Sequence, residues 1–327
     1  MEEERRVLVT GGNGFIGSWI VRILLARGYA VTATYQPGTD AAHLLALDDE
    51  RLLLLPADLL DAGAISAAAA AGGGCRAGVL HVASPCTLAD PRDPQAELVE
   101  PAVRGTLHVL EAARGAGARR VVVTSSISAM VPNPGLAAGE LVDERSWTDM
   151  EFCKARGKWY PVSKTLAERA AWEYAARWPG FELATILPST CLGPLLQPTL
   201  NASSVVLQRL LQGSTDDQAD YWLPPPPPPP VAAAHLLLLE APTVSGRYLC
   251  TNGIYQFSDF ARLAARICPA YAHAIHRFEE GTTQPWLVPR DARDAARRLL
   301  DLGLVLTPLE EAIKDAEKSL TDKCFLP

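Results

Sequence analysis

The chain of 327 residues is short of several things, and each shortage argues against a class of function. Cations are outnumbered: 30 lysines and arginines face 37 acidic side chains, for a net charge of −7. A surface that neutralises phosphates needs the opposite balance, so a nucleic-acid partner is not expected. The short basic pairs Arg5-Arg6 and Arg119-Arg120 lead into apolar runs and read as solvated strand edges. No apolar run reaches the roughly 18 residues that a membrane-spanning helix needs, so no membrane role is expected. The seven cysteines (75, 86, 153, 191, 250, 268, 324) are odd in number and never form a CxxC pair. Such scattered thiols fit a reducing compartment rather than a disulfide framework or a zinc site. The opening Met-Glu-Glu-Glu-Arg-Arg runs straight into a strand without a leader-like apolar stretch, so a cytoplasmic location is expected.

What is there is largely apolar, 48% of residues, which suits a globular core. Up to residue 190, short β-branched runs alternate with amphipathic stretches. That pattern predicts an α/β fold, a Rossmann-type doubly wound parallel sheet with helices on both faces. Strands are predicted at 6–10, 30–35, 52–55, 78–83, 120–125 and 181–187. Helices are predicted at 15–26, 62–71 and 95–113, with one over 163–178 that starts before Tyr160. After Gly193 the alternation fails, and helices at 203–212, 231–240, 258–267 and 309–318 are separated by proline-rich connections. Residues 1–190 are therefore expected to bind a dinucleotide. Residues 191–327 are expected to form mainly a smaller substrate lobe, with some segments returning to the sheet. Pro224 to Pro230 are seven consecutive prolines, which cannot donate ladder hydrogen bonds and would span about 22 Å as polyproline II.

The first strand runs into Gly11-Gly-Asn-Gly14-Phe15-Ile16-Gly17. Alone, this GxxGxxG spacing says little; between a strand and a helix it specifies a pocket for a dinucleotide pyrophosphate. Gly11 takes the tight-turn dihedrals, Gly14 lets the backbone approach the pyrophosphate, and Gly17 permits close helix–strand packing. The N–H groups at the helix start, around Phe15 and Ile16, offer the anion the positive end of the helix dipole. Selectivity between the two nicotinamide dinucleotides is decided after the second strand, where an acid binds the ribose diol and an arginine the 2′-phosphate. Thr34-Tyr35-Gln36-Pro37 has neither, so Gln36 tolerates a phosphate without attracting it. Asp58, with Leu59 after the third strand, either hydrogen-bonds the adenine amino group or caps the next helix.

Lys-Trp-Tyr160-Pro-Val-Ser-Lys164 sets a phenol and an ammonium at i and i+4, on one face of a helix. A free tyrosine, with a pKa of about 10, is a poor acid–base catalyst at neutral pH. A neighbouring ammonium favours the phenolate and lowers that pKa, which equips Tyr160 to protonate a carbonyl oxygen. The same lysine can hold the nicotinamide ribose through its hydroxyls. Ser126, following Thr124-Ser125 at the end of the fifth strand, would hydrogen-bond the oxygen where charge develops. A Tyr-x-x-x-Lys spacing is common by chance. Joined to the glycine turn and Ser126, it points to a nicotinamide-dependent reductase of a small carbonyl compound.

Longer stretches carry a resemblance over essentially the whole chain. They are Val-Thr-Gly-Gly-Asn-Gly-Phe-Ile-Gly-Ser-Trp (9–19), Ala-Asp-Leu-Leu-Asp (57–61), Ala83-Ser84-Pro85, Glu-Pro-Ala-Val-Arg-Gly-Thr (100–106) and Val-Thr-Ser-Ser-Ile (123–127). Further on come Trp-Thr-Asp-Met-Glu-Phe-Cys-Lys (147–154), Ser-Lys-Thr-Leu-Ala-Glu (163–168), Gly-Pro-Leu-Leu-Gln-Pro-Thr (193–199) and Ser-Gly-Arg-Tyr-Leu-Cys (245–250). Together they resemble the extended short-chain dehydrogenase/reductases of plants, the group of cinnamoyl-CoA, dihydroflavonol and phenylacetaldehyde reductases. The resemblance implies catalysis by Ser126, Tyr160 and Lys164, and cofactor contacts from Ala83, Ser84, Pro85, Thr124, Pro188 and Thr190. It implies NADPH as the cofactor, with NADH tolerated, and an aromatic or phenylpropanoid-like aldehyde, ketone or acyl-CoA as substrate. A monomer or weak dimer is expected. Two other readings stay open: a nucleotide-sugar epimerase or dehydratase of the same fold, and an inactive cofactor-binding scaffold.

The departures carry their own expectations. Asn-Trp-Tyr-Cys-Tyr-Gly-Lys in cinnamoyl-CoA reductases is Lys-Trp-Tyr-Pro-Val-Ser-Lys here. The histidine and lysine that the family turns toward CoA fall at Val206 and Arg209, a further arginine at Phe257, and the 2′-phosphate arginine at Gln36. Weak CoA binding and a modest NADPH preference follow. The prolines at 224–230 stand where the family carries a strand, so lost pairing is expected there.

Overall fold

The computed structural model describes residues 5–86, 91–136, 140–216, 228–279 and 290–327. The first half runs β1 (Arg6–Thr10), α1 (Phe15–Ala26), β2 (Ala30–Tyr35), α2 (Ala42–Leu45), β3 (Leu52–Pro56), α3 (Ala62–Ala70), β4 (Gly78–His81), α4 (Glu100–Gly115) and β5 (Arg120–Thr124). Then come α5 (Met150–Ala155), α6 (Trp159–Ala176), β6 (Glu182–Pro188), α7 (Ala202–Leu211), α8 (Pro228–Glu240) and β7 (Gly246–Cys250). The remainder is β8 (Gly253–Ile254), α9 (Phe257–Ile267), β9 (Arg290–Asp291), α10 (Ala292–Ala295), α11 (Arg297–Asp301) and α12 (Leu309–Asp322).

Seven strands form one parallel sheet in the order β3-β2-β1-β4-β5-β6-β7. Both faces are covered, so Val7-Leu8-Val9 and Val121-Val122-Val123 are buried in succession rather than alternately. On one face Ile20, Val21 and Leu24 of α1 join Val231, Ala234 and Leu238 of α8. On the other, Ile65 of α3, Val109 and Leu110 of α4 and Ala171 of α6 close the second core. The order of strands reverses between β1 and β4, and the crevice beyond their carboxyl ends is where such sheets hold ligands.

Three boundary differences have a physical reason. The fourth strand stops at His81, because the N–H groups of Val82 and Ala83 turn back to Thr10. The helix expected over 95–113 opens with a wide π turn, Gln95–Val99, before α4. Pro101 has no N–H to give the turn before it, so the ordinary i→i−4 ladder cannot start there. The C-terminal third supplies β7 to the sheet, as one of the segments expected to return to it, and α8 packs against α1, β5 and β6. Finally, α8 begins at Pro228 rather than Val231. First-turn N–H groups have no intrahelical acceptor, so prolines lose nothing there by lacking one. Pro224 to Pro227, and any strand in their place, lie outside the described residues.

The basic pairs are not simply solvated edges. Arg120 is fully buried and donates to the carbonyls of Leu238, Leu239 and Ala241 at 2.8, 2.9 and 2.6 Å, capping the end of α8 while pairing with Glu182. Arg6 is buried as well, with its Nε 3.0 Å from the Gly72 carbonyl. A guanidinium brings five donors to places where turns and helix ends leave carbonyls unpaired.

Candidate active site

The ends of β1 to β6, the start of α1 and one face of α6 build the site. At the end of β1, Gly11 has φ +66°, and a Cβ there would stand 2.9 Å from the Ala83 Cα. The turn after β1 therefore touches the loop after β4 across the crevice. Gly17 is tighter still: its Cβ would fall 2.1 Å from the Gly11 carbonyl oxygen, so the turn itself, rather than the strand, excludes a side chain. Gly12, which the GxxGxxG spacing passes over, would press a Cβ to 2.7 Å from the Ala33 Cβ in β2. Gly14 is different, since its Cβ would meet only the Gly11 oxygen, at 3.4 Å. It is the N-cap of α1, with no side-chain cap and no acidic residue in the first turn, where Phe15 and Ile16 stand. Open backbone, uncapped amides and absent carboxylates fit a dinucleotide pyrophosphate.

The adenosine side is less constrained. Gln36 is exposed, and its carbonyl accepts the Thr39 hydroxyl at 2.7 Å. The Asn13 side chain donates to Thr39 Oγ1 and the Asp40 carbonyl, both at 2.9 Å, and so latches this loop beside the glycine turn. Asp58 Oδ1 accepts the Leu60 N–H at 2.8 Å. The cap of α3 is Asp61, which accepts the Ala64 N–H at 2.9 Å, so the capping alternative for Asp58 falls. Leu59 is held against α4, its carbonyl 2.8 Å from His108 Nδ1.

On the reaction side, Thr124 ends β5 and its carbonyl accepts Lys164 Nζ at 3.1 Å. Lys164 is buried, and desolvation pulls its pKa down to about 8 against the opposing influence of Cys86 and Glu168. Its Nζ lies 6.0 Å from the centre of the Tyr160 ring, so the helical spacing does bring phenol and ammonium to one face. Ser126 leads into a single 3₁₀ turn, Ile127–Ala129, on which α6 packs. Its Oγ accepts the Ser128 N–H at 3.1 Å, which leaves its own O–H to donate. Ser84 and Pro85 are half-buried behind Ala83, Pro188 ends β6 as a buried residue, and Thr190 is half-buried beyond it.

Several polar residues under this site have no role that the sequence assigns, although Glu168 and Arg247 stand inside the stretches 163–168 and 245–250. His81 Nδ1 lies 2.8 Å from Thr10 Oγ1, and its Nε2 lies 3.1 Å from Thr106 Oγ1. Thr10 Oγ1 already accepts the Val82 and Ala83 N–H groups at 3.1 Å, so its proton goes to Nδ1 and the ring donates from Nε2. Burial, with Lys164 nearby, pulls the histidine to about 3, so it stays neutral and fixes the Ala83 turn. His235 of α8 meets Thr124 Oγ1 at 2.7 Å through Nε2 and the Val231 carbonyl at 2.8 Å through Nδ1. Behind α6, Glu168 and Arg247 form an ion pair at 2.8 Å with side chains 1% and 7% exposed. Only placement in three dimensions identifies these groups. Phe257, by contrast, packs its ring on Phe260 and Phe278 in the core and presents nothing to a ligand phosphate.

Among the described residues no helix is long and apolar enough to cross a membrane, and no group of three His, Cys, Asp or Glu could hold a metal. A solved vestitone reductase from alfalfa (Medicago sativa) superposes with a TM-score of 0.80 at 28% identity, covering 98% of this chain and 99% of that one. A yeast methylglyoxal/isovaleraldehyde reductase complexed with NADPH does so with 0.83 at 25% identity, covering 98% and 100%. Cinnamoyl-CoA reductase 1 of Oryza sativa subsp. japonica is 40% identical across 99% of this chain and 93% of its own length. The family model described as "NAD dependent epimerase/dehydratase family" matches residues 7–222. A match of that length makes the chain a member of the NAD dependent epimerase/dehydratase family, on the branch of the plant cinnamoyl-CoA and dihydroflavonol reductases.

Proposed function

We propose that this oxidoreductase reduces the carbonyl of an aromatic, phenylpropanoid-like compound with NADPH, using Tyr160 as the general acid. The observation that carries the reading is Lys164, buried beside Tyr160 and tied to the Thr124 carbonyl at the end of β5. When bound, the reduced nicotinamide supplies a hydride to the carbonyl carbon. Tyr160 gives its phenolic proton to the carbonyl oxygen, so an aldehyde or ketone leaves as the alcohol. The Lys164 ammonium stabilises the phenolate left behind and, before that, makes the phenol acidic enough to act. The Ser126 O–H hydrogen-bonds the same oxygen as charge gathers on it. The ammonium is present below a pH of about 8 and lost above it, so reduction should decline on the alkaline side.

A CoA thioester is the second reading, favoured by the 40% identity to a protein named cinnamoyl-CoA reductase. Against it, Val206 packs on the apolar core and Phe257 is buried, leaving exposed Arg209 as the cation of the three positions. Phosphates that find few cations stay in water or are buried at a cost. Free aldehydes should therefore outperform the matching thioesters in kcat/KM. The test is NADPH oxidation with cinnamaldehyde, phenylacetaldehyde and cinnamoyl-CoA. A preference for cinnamoyl-CoA restores the thioester reading, and NADPH binding without turnover on all three overturns both.

A further inference from the structure

Glu168 stands one helical turn beyond Lys164 on α6, and it is the one buried carboxylate among the described residues. Its Oε1 accepts Thr185 Oγ1 at 2.7 Å, Arg247 Nε at 2.8 Å and Trp172 Nε1 at 3.3 Å. Its Oε2 accepts Ser125 Oγ at 2.6 Å and the second Arg247 nitrogen at 3.2 Å. A carboxylate offers about four lone-pair sites, so this one is saturated. Arg247 is spent just as fully. Beyond Glu168, its guanidinium donates to the carbonyls of Glu144 at 3.0 Å, Ala129 at 3.1 Å and Ser146, and it lies 3.9 Å from the centre of the Trp147 ring.

The partners share a feature that core packing alone does not require. Ser125 precedes Ser126, Ala129 ends the 3₁₀ turn that Ser126 caps, and Lys164 is on the same helix as the carboxylate. Residues 144–147 lead toward α5, which packs against α6. One ion pair thus ties the backbone on both sides of Ser126 to the helix of Tyr160 and Lys164. Replacing a buried pair with apolar residues is often harmless to stability, so stability does not explain its presence.

We propose that Glu168 is the positioning residue of this site: clamped by Arg247, it fixes the Ser125–Ala129 segment against α6 and keeps the neighbouring Lys164 in its charged form. The charged and titratable groups facing Lys164 are Tyr160 and Glu168 on its own helix, Cys86 after β4 and His81 at the end of β4. His81 stays neutral, while Cys86 and Glu168 both oppose the desolvation of the lysine, and of the two it is Glu168 that an ion pair with Arg247 fixes in place. Arg247 acts on the lysine only through the carboxylate that it holds.

The proposal rests on the Tyr160/Lys164 reading, and its test separates the two. Two pH profiles are recorded on the full chain: kcat/KM for cinnamaldehyde, and the dissociation constant of NADPH by fluorescence, which needs no turnover. The inflection that disappears in Lys164→Met belongs to the lysine. In Glu168→Gln that inflection should move down by about one pH unit, since a nearby opposite charge is worth this much or more, and kcat should fall about tenfold with little change in KM. Glu168→Asp should restore most of the inflection. Thr185→Val removes one hydrogen bond to the same carboxylate without altering charge, so it should lower the melting temperature and leave the inflection in place. If Glu168→Gln is poorly folded, Glu168→Gln/Arg247→Gln removes both charges and should still shift the inflection downward. An unmoved inflection in the glutamine variants, or an equal shift in Thr185→Val, overturns the proposal, as does a parent profile with no lysine inflection. If instead Tyr160→Phe keeps its turnover, the parent reading has failed and the positioning role fails with it.

Discussion

The glycine turn after β1 and the ion pair behind α6 hold the two halves of the site by opposite means. Around Gly11–Gly17 the geometry depends on side chains that are missing: Cβ atoms at Gly11, Gly12 and Gly17 would lie 2.9, 2.7 and 2.1 Å from their neighbours. Behind Lys164 it depends on side chains that are present and charged, Glu168 and Arg247, which are 79 residues apart in the chain. The first device is local, so a short spacing in the sequence specifies it. The second exists only once β7 has joined the sheet. A cradle that must admit a large anion benefits from clearance and uncapped amides. A site that must move one proton benefits from fixed charges in a dry environment, where they act most strongly.

Breaking the charged half should cost the most. Tyr160→Phe keeps the ring and its packing but removes the proton, so turnover should fall by about 10²–10⁴-fold while NADPH binding changes little. Steady-state reduction together with a fluorescence titration of NADPH checks both parts. Turnover within a few-fold of the parent would remove Tyr160 from the chemistry.

The glycine half can be divided against itself. Gly17→Ala forces a Cβ against the Gly11 carbonyl oxygen and should destabilise the fold by about 1–3 kcal/mol or more, as overpacking does. Gly14→Ala meets no such contact and should fold normally while binding the dinucleotide more weakly. Thermal melts with and without NADPH separate the two effects. Equal melting temperatures for the two free variants would mean that the Gly17 contact relaxes easily.

A cation can also be carried into the half that rests on missing side chains. Gln36→Arg places a guanidinium on the exposed loop after β2 that Asn13 latches in place. A charge-assisted hydrogen bond is worth roughly 1.5–3 kcal/mol, so NADPH should tighten by about ten-fold or more, with NADH little changed. Parallel titrations with both cofactors decide it, and equal tightening would show that residue 36 does not face the 2′ position.

What could be read from the sequence follows the same division. The strand–turn–helix at Val9–Ser18 and the i, i+4 pair of Tyr160 and Lys164 are short-range patterns, and both have the geometry that their spacing implies. His81 was invisible because its meaning lies in Thr10 and Thr106, 71 and 25 residues away. Arg120 looked like a surface residue because nothing in Arg-Arg-Val-Val-Val says that the end of α8 will lie over it. Asp58 and Asp61 are both plausible caps by residue type, and only the approach of the Ala64 N–H chooses between them. The register of the glycines was legible, but the reason for Gly17 was not, since the closest atom belongs to the turn rather than to a strand.

The smallest expected effect concerns the prolines, which belong to neither half. Pro228 to Pro230 are the first turn of α8, whose buried His235 reaches Thr124 and so the strand end that holds Lys164. Changing all three to alanine should alter stability by no more than about 1 kcal/mol, because two terms oppose each other. A proline steers the residue before it away from the helical region, and alanine relieves that while adding helix propensity. Alanine also restores freedom to the unfolded chain, which costs about 0.4–1 kcal/mol at each position where proline already fits. The N–H groups regained have no intrahelical acceptor in the first turn, so they contribute little. A melting temperature within a few degrees of the parent, with unchanged NADPH binding, is the expected result. A large rise would mean that the prolines strain the start of α8, and a large fall that they hold it in place.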